Sequence, residues 1–167
     1  MPEKKHAELL ISLFENWANE KVKSFYKLPL SGSNRIYYRI ESNNKKAIGT
    51  FNEDKEENIA FIEFTNHFLS RGLHVPKIFA VDLSQHIYLQ EDIGDTSLFN
   101  FVINNRKNED FPKEIIDVYK RVLIELPKFQ FLGNDGLDYS KCYPRESFDK
   151  QSMLWDLNYF KYYFLKL

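Results

Sequence analysis

The sequence predicts an α+β protein: a five-stranded antiparallel sheet with attendant helices, followed by a purely helical region. Three observations point there. Short runs rich in strand formers recur between residues 25 and 90. Two amphipathic helical stretches, 4–24 and 52–71, interrupt them. After Gly94 only helical periodicity remains.

Each element follows from local chemistry. Residues 4–24 place Leu10, Leu13, Phe14, Trp17, Ala18 and Val22 on one stripe, with the lysines and glutamates mostly off it. Phe25–Leu30 reads as a short strand that Pro29 confines to an edge or ends. The small polar loop Ser31-Gly32-Ser33-Asn34-Arg35 leads into the strand formers Ile36–Ile40. Ser42–Lys45 is a hairpin turn, with asparagines that tolerate positive φ, and Lys46–Phe51 returns as the partner strand. Asn52 is expected to cap a helix whose first turn is acidic and whose stop is Gly72. Lys77–Val81 and His86–Gln90 pair around the turn Asp82–Gln85; in the second, Ile87 and Leu89 face one side, Tyr88 and Gln90 the other.

Beyond the acidic linker Glu91–Asp95, Thr96 is the expected cap of a short helix at 97–106, and Lys107–Asp110 is a charged loop. Pro112 opens a long helix striped by Ile115, Val118, Tyr119, Val122, Leu126 and Phe129, which Pro127 should kink or end. Gly133-Asn134-Asp135-Gly136 breaks the chain. The last helix, Ser147 to about Leu167, is apolar around nearly its whole circumference. Such a helix is buried on all sides, and little in this chain is left to bury it. The expectation is an N-terminal piece of something larger, or pairing with another chain, including self-association through this aromatic helix.

Composition narrows the function. A net charge of −1 gives no electrostatic pull towards nucleic acid or an anionic membrane. The single cysteine, Cys142, excludes an internal disulfide framework and any multi-cysteine metal site. It reads as a buried or half-buried thiol. No apolar run reaches spanning length, and residues 1–25 carry acidic residues unlike a signal peptide, so a cytoplasmic location is the default.

Two stretches could carry chemistry. The loop at 31–35, opening a hairpin, can lie over a phosphate because exposed N–H groups meet its oxygens, with Arg35 adding charge; a plain turn is the other reading. Glu57 shares a helix face with Phe61, Phe64 and Phe68 and is aimed inward, whereas Glu63 shares one with Asn66, His67 and Ser70 that looks solvated. Glu57 reads equally as a partner of the helix dipole. The linker at 90–94 reads as a plain connection or as a hinge whose backbone meets an adenine edge.

In order, these pieces are a helix, a hairpin with Gly32-Ser33-Asn34-Arg35-Ile36-Tyr37-Tyr38-Arg39, the helix start Glu57-Asn58, then Gly72-Leu73-His74-Val75-Pro76 and Leu89-Gln90-Glu91-Asp92-Ile93-Gly94-Asp95. The series resembles the N-terminal part of the aminoglycoside phosphotransferase and choline kinase superfamily. Within it, the likeness is nearest to the bacterial anomeric kinases of N-acetylmuramate and N-acetylglucosamine. It covers residues 8–107 well and the remainder loosely.

The resemblance implies a protein-kinase-like N-lobe at 1–94, a hinge at 90–94, and at 95–167 the first helices of an incomplete helical C-lobe. It implies ATP as the bound nucleotide, with Ser31, Gly32, Ser33, Asn34 and Arg35 over the phosphates and Glu57 as the helix acid. The carbonyl of Gln90 and the N–H of Asp92 would meet adenine. Mg²⁺ and a sugar-like acceptor would belong to the full-length parent.

Two departures stand out. Ala47–Phe51 contains no strand lysine to pair with the helix acid, and Lys45 and Lys46 come too early. No histidine has an aspartate two residues on, so the loop His-x-Asp-x-x-x-x-Asn is missing from these residues, and Asp156-Leu157-Asn158 reads as structure. Phosphoryl transfer is mostly positioning and neutralised charge. Without those groups the chain is expected to bind nucleotide but not transfer phosphate, and no catalytic or metal-binding residue is assigned. The competing reading is a non-catalytic kinase-like module that docks through its aromatic terminal helix. A single-stranded nucleic-acid binder using Tyr37, Tyr38 and the terminal aromatics would need more positive charge.

Overall fold

The apolar stripe that opens the sequence becomes helix α1 (Pro2–Ala18), which lies across one face of an antiparallel sheet in the computed structural model. The structure describes residues 2–29, 32–106 and 111–166. Ser31 of the expected phosphate loop and the charged loop Lys107–Asp110 therefore lie outside the described residues.

The sheet is built from β1 (Ser24–Lys27), β2 (Ile36–Glu41), β3 (Lys46–Phe51), β4 (Ile78–Asp82) and β5 (Ile87–Gln90). Its order is β1-β2-β3-β5-β4, every neighbouring pair is antiparallel, and a register shift interrupts β4 between Ile78 and Ala80. Helix α2 (Lys55–Ser70) sits in sequence between β3 and β4. Side chains alternate across a pleated sheet. One face gives Tyr38, Ile40, Ala47, Phe51, Ile87 and Leu89 to a core shared with Leu10, Phe14 and Ala18 of α1. Gly49 lies on that face, where a Cβ would come within 2.8 Å of the Ile40 Cδ1 and 3.0 Å of a Leu10 methyl. The opposite face carries Arg39, Ile48, Thr50, Tyr88 and Gln90. Phe61 of α2 packs on Tyr88 there, with ring centroids 5.4 Å apart.

The chain divides into two compact units, Met1–Leu137 and Asp138–Leu167. The first holds, besides the sheet, α1 and α2, the helices α3 (Leu98–Asn105) and α4 (Lys113–Phe131). The second holds a 3₁₀ turn (Tyr139–Lys141), α5 (Lys150–Phe160) and a π turn at Lys161–Leu165.

Several expected boundaries move, each for a local reason. Helix α1 stops at Ala18, not residue 24, because Asn19 takes a left-handed φ of 54°. Val22 still packs on the core from outside the helix. Strand β1 ends at Lys27, ahead of Pro29. The 42–45 turn uses no positive φ at its asparagines: Ser42 and Lys45 close it by backbone and hydroxyl bonds, and Asn44 is held by the Glu20 carboxylate. Asp54 caps α2 in place of Asn52, because its carboxylate reaches the Glu57 N–H at 3.1 Å. Ser97, not Thr96, caps α3 through the Asn100 N–H. Helix α4 runs through Pro127 to Phe131. Helix α5 starts at Lys150, not Ser147, because Asp149 accepts from the Ser152 N–H. The face expected to be solvated is exposed at Asn66 and Ser70, but His67 on it is half-buried: its Nε2 lies 2.8 Å from the Gly133 carbonyl, and neighbouring Phe68 meets Phe129 edge-on. Glu63 is exposed as expected.

Candidate functional site

Two charged assemblies occupy the α2-side face of the sheet and its ends. The first joins the loop ahead of β2 to the start of α2. Glu57 reaches inward, as its helical spacing predicts, and its Oε1 lies 2.9 Å from an Arg35 guanidinium nitrogen. Its Oε2 accepts a 2.7 Å bond from the Asn52 amide. Asn52 is fixed in turn, because the fully buried Asn58 donates to its carbonyl at 2.7 Å. So Asn52, displaced from its expected capping role, holds the carboxylate in place. Arg35 also lies over the Phe61 ring, 5.0 Å from its centroid. Burial works against the Arg35 charge, but the oxygens of Tyr88, Tyr37 and Glu57 outweigh it and hold the guanidinium's pKa above its ordinary value.

Beneath this pair, the Tyr88 and Thr50 side chains are fully buried on opposed positions of β5 and β3. Burial pushes the Tyr88 phenol well above the usual tyrosine range, so it stays neutral. Ser33 and Asn34 share with Glu57, Asn52, Glu53 and Asp54 the lining of a recess of about 670 Å³. The structure thus brings Ser33, Asn34, Arg35 and Glu57 together. Gly32 lies in open space, where a Cβ would meet nothing.

The second assembly ties β2 to the linker after β5. The Arg39 side chain is nearly buried, and its Nε lies 2.9 Å from the Asp92 carboxylate. A second nitrogen donates to Asp92 Oδ1 at 3.0 Å, and the two terminal nitrogens reach Asp95 at 2.9 and 2.8 Å. The Tyr26 hydroxyl accepts at 3.3 Å. The bonds to Asp95, Tyr26 and Asp92 raise the Arg39 pKa, so it is always charged. Burial alone would raise the Asp92 pKa, but the Gly94 N–H and the guanidinium more than offset it, and the carboxyl stays below its usual range. Arg39 lowers the Asp95 carboxyl as well.

The clamp leaves the linker backbone in a defined state. The Glu91 N–H donates to the Lys77 carbonyl at 2.8 Å, and Asp92 Oδ1 accepts from the Gly94 N–H at 3.0 Å across a turn where Gly94 takes φ +87°. Among the described residues the Asp92 N–H meets no acceptor. Gln90 ends β5 in register with both Ile48 and Ile78. Gln90 and Asp92 therefore form a second group, joined to the Arg35–Glu57 group through the strand that carries Tyr88.

Sequence reasoning missed Arg39, Asp95, Thr50 and Tyr88. One signal was present: an arginine inside a strand of apolar and aromatic residues, and a linker with three acids and no base. No family model matches this chain, and no curated protein matches it.

Proposed function

We propose that this chain carries the nucleotide-binding lobe of an ATP-dependent small-molecule phosphotransferase, acting on a sugar or sugar-like hydroxyl. One observation carries the reading. Loop residues Ser33 and Asn34 and the helix acid Glu57, more than twenty positions apart in sequence, line one recess, and Arg35 next to them in the loop pairs with Glu57. The N–H of Asp92, on a linker locked by Arg39, adds a donor suited to a planar heterocycle edge. A kinase-like lobe uses these same parts: a small-residue loop, an anchored helix acid and a hinge backbone. The chain contains no His-x-Asp-x-x-x-x-Asn, so the proposal assigns it nucleotide binding without phosphoryl transfer.

Isothermal titration of the whole chain with ATP, ADP and adenosine, with and without Mg²⁺, tests this. Saturable ATP binding with no sugar phosphorylation is expected. Heats at dilution level for all three ligands would overturn it. A second reading is a non-catalytic docking module, favoured by the terminal aromatic side chains from Trp155 to Phe164, which are 49–72% exposed. Recovery of a defined heterodimer that binds no nucleotide would favour that module.

A further inference from the structure

The breaker Gly133-Asn134-Asp135-Gly136 does more than end α4: it meets the last turn of α2, far back in the sequence. The His67 Nε2 lies 2.8 Å from the Gly133 carbonyl, across 66 positions. A carbonyl only accepts, so Nε2 carries the hydrogen. One turn further along α2, the Arg71 guanidinium pairs with the Asp135 carboxylate at 2.7 Å. Beside them, Phe68 meets Phe129 of α4 edge-on, with ring centroids 5.5 Å apart. The glycines leave room for this approach. Gly136 takes φ +71°, and a Cβ there would come within 2.7 Å of the Arg71 Nη2. A Cβ on Gly133 would come within 3.1 Å of the Phe68 ring.

The other end of α2 is held separately. Glu57 is bonded to Arg35 and Asn52, and Asp54 caps the helix. Between the two ends α2 fully buries only Asn58, Ala60 and Thr65, none of them a large apolar side chain. Phe61 rests on Tyr88 but stays half-buried. An element with so little buried apolar surface opens locally at low cost, so this 16-residue helix is held mainly by its ends. At the far end the contacts are unequal. The Arg71–Asp135 pair is exposed and worth little, whereas the half-buried His67 bond and the Phe68–Phe129 contact hold more strongly.

We infer that the loop at 133–136 is a latch: it locks the last turn of α2 to the end of α4, and through the stiff helix it fixes where Glu57 stands. The end of α4 and the group Arg35, Asn52 and Glu57 then open and close as one cooperative body. The latch operates whether or not a nucleotide binds.

Amide hydrogen exchange on the whole chain tests this in the wild type, in His67→Leu, in Asp135→Lys, and in the charge swap Arg71→Glu with Asp135→Lys. His67→Leu should speed exchange about 5- to 10-fold at two separate places. One is the latch itself, residues 64–71 and 129–137. The other is the far end of α2, at the Glu57 and Asn58 amides, which bond to Asp54. Strands β1 and β2 and helix α1 should exchange as in the wild type. Asp135→Lys sets two cations face to face at an exposed site and should have the same pattern at about twofold. The charge swap should return both places to wild-type rates. Faster exchange confined to the latch, with Glu57 and Asn58 unmoved, would make the contact a local brace and overturn the inference, as would unchanged exchange at both ends. Equal acceleration along the whole chain, β1 and α1 included, would mean a general loss of stability and overturn it too. Should His67→Leu fail to fold, Asp135→Lys and its swap decide: no change at Glu57 and Asn58, or no recovery in the swap, overturns it.

Discussion

Arg39 is the residue on which the linker geometry depends. Its guanidinium sits between two carboxylates, one of them almost fully buried, and bonds to both. Removing the cation strands Asp92 in a low-dielectric site, and breaking a buried pair in this way is strongly destabilising. Lys46, 3.5 Å from Asp92, offsets part of the loss. Arg39→Met is therefore expected to cost about 2 kcal/mol in urea unfolding at pH 7, less than an isolated buried pair. The acid side gives a second measurement. Asp92 and Asp95 have folded pKa values below the ordinary carboxylate value. Groups shifted downward stabilise the fold above the unfolded pKa, roughly 3.9 for aspartate, and that contribution is lost as pH falls through the lower folded pKa. Unfolding curves of the wild type should weaken on going from about pH 5 to pH 2.5, and Arg39→Met should weaken less over the same window. Equal slopes for the two proteins would show that the clamp does not set acid stability.

At the scale of elements, two helices sandwich the sheet, and this explains what could be read from the sequence and what could not. Period-two and period-3.6 patterns made all five strands, α1 and α2 visible, because half of each pattern had to face a core. The α1 stripe was readable residue by residue: Leu10 and Phe14 are fully buried against Ile40 and Leu89. Phe14→Ala should accordingly cost about 3–5 kcal/mol, read as a lower denaturation midpoint at unchanged m-value. A loss under about 1 kcal/mol would mean that α1 is not part of the cooperative core. Strand β5 was harder. Its alternation places Tyr88 on the face opposite Ile87 and Leu89, yet Tyr88 is as buried as they are, because α2 covers that face with Phe61. Helix caps were misplaced by one or two positions because Asn52 and Asp54, like Thr96 and Ser97, are all competent caps, and only the three-dimensional reach of the side chain selects one. The Arg39 clamp spans more than fifty residues, so no local pattern could display it.

For the whole molecule, the two units differ in how their apolar side chains are satisfied. Residues of the first unit bury a continuous core under α1. In the second, the large apolar side chains from Met153 to Leu165 stay 47–72% exposed, and Tyr159 with Tyr163, and Phe160 with Phe164, stack on each other along the helix at 4.5 and 5.1 Å. The sequence showed this as a helix apolar on every side, but its periodicity could not say what covers it. Contiguous apolar surface of this kind associates in water, since a few buried aromatic side chains outweigh the lost freedom of two chains. The predicted behaviour is reversible self-association that grows with protein concentration and with sulfate, which strengthens apolar burial. Sedimentation velocity over a hundredfold range of concentration would measure it. Replacing Trp155 and Phe164 by lysine, positions 64% and 72% exposed, should return the chain to a monomer without moving the urea midpoint of the sheet. If both lysines leave the association intact, the contact lies elsewhere, and the exposed apolar side chains of α4, among them Leu123 and Ile124, become the surface to alter next.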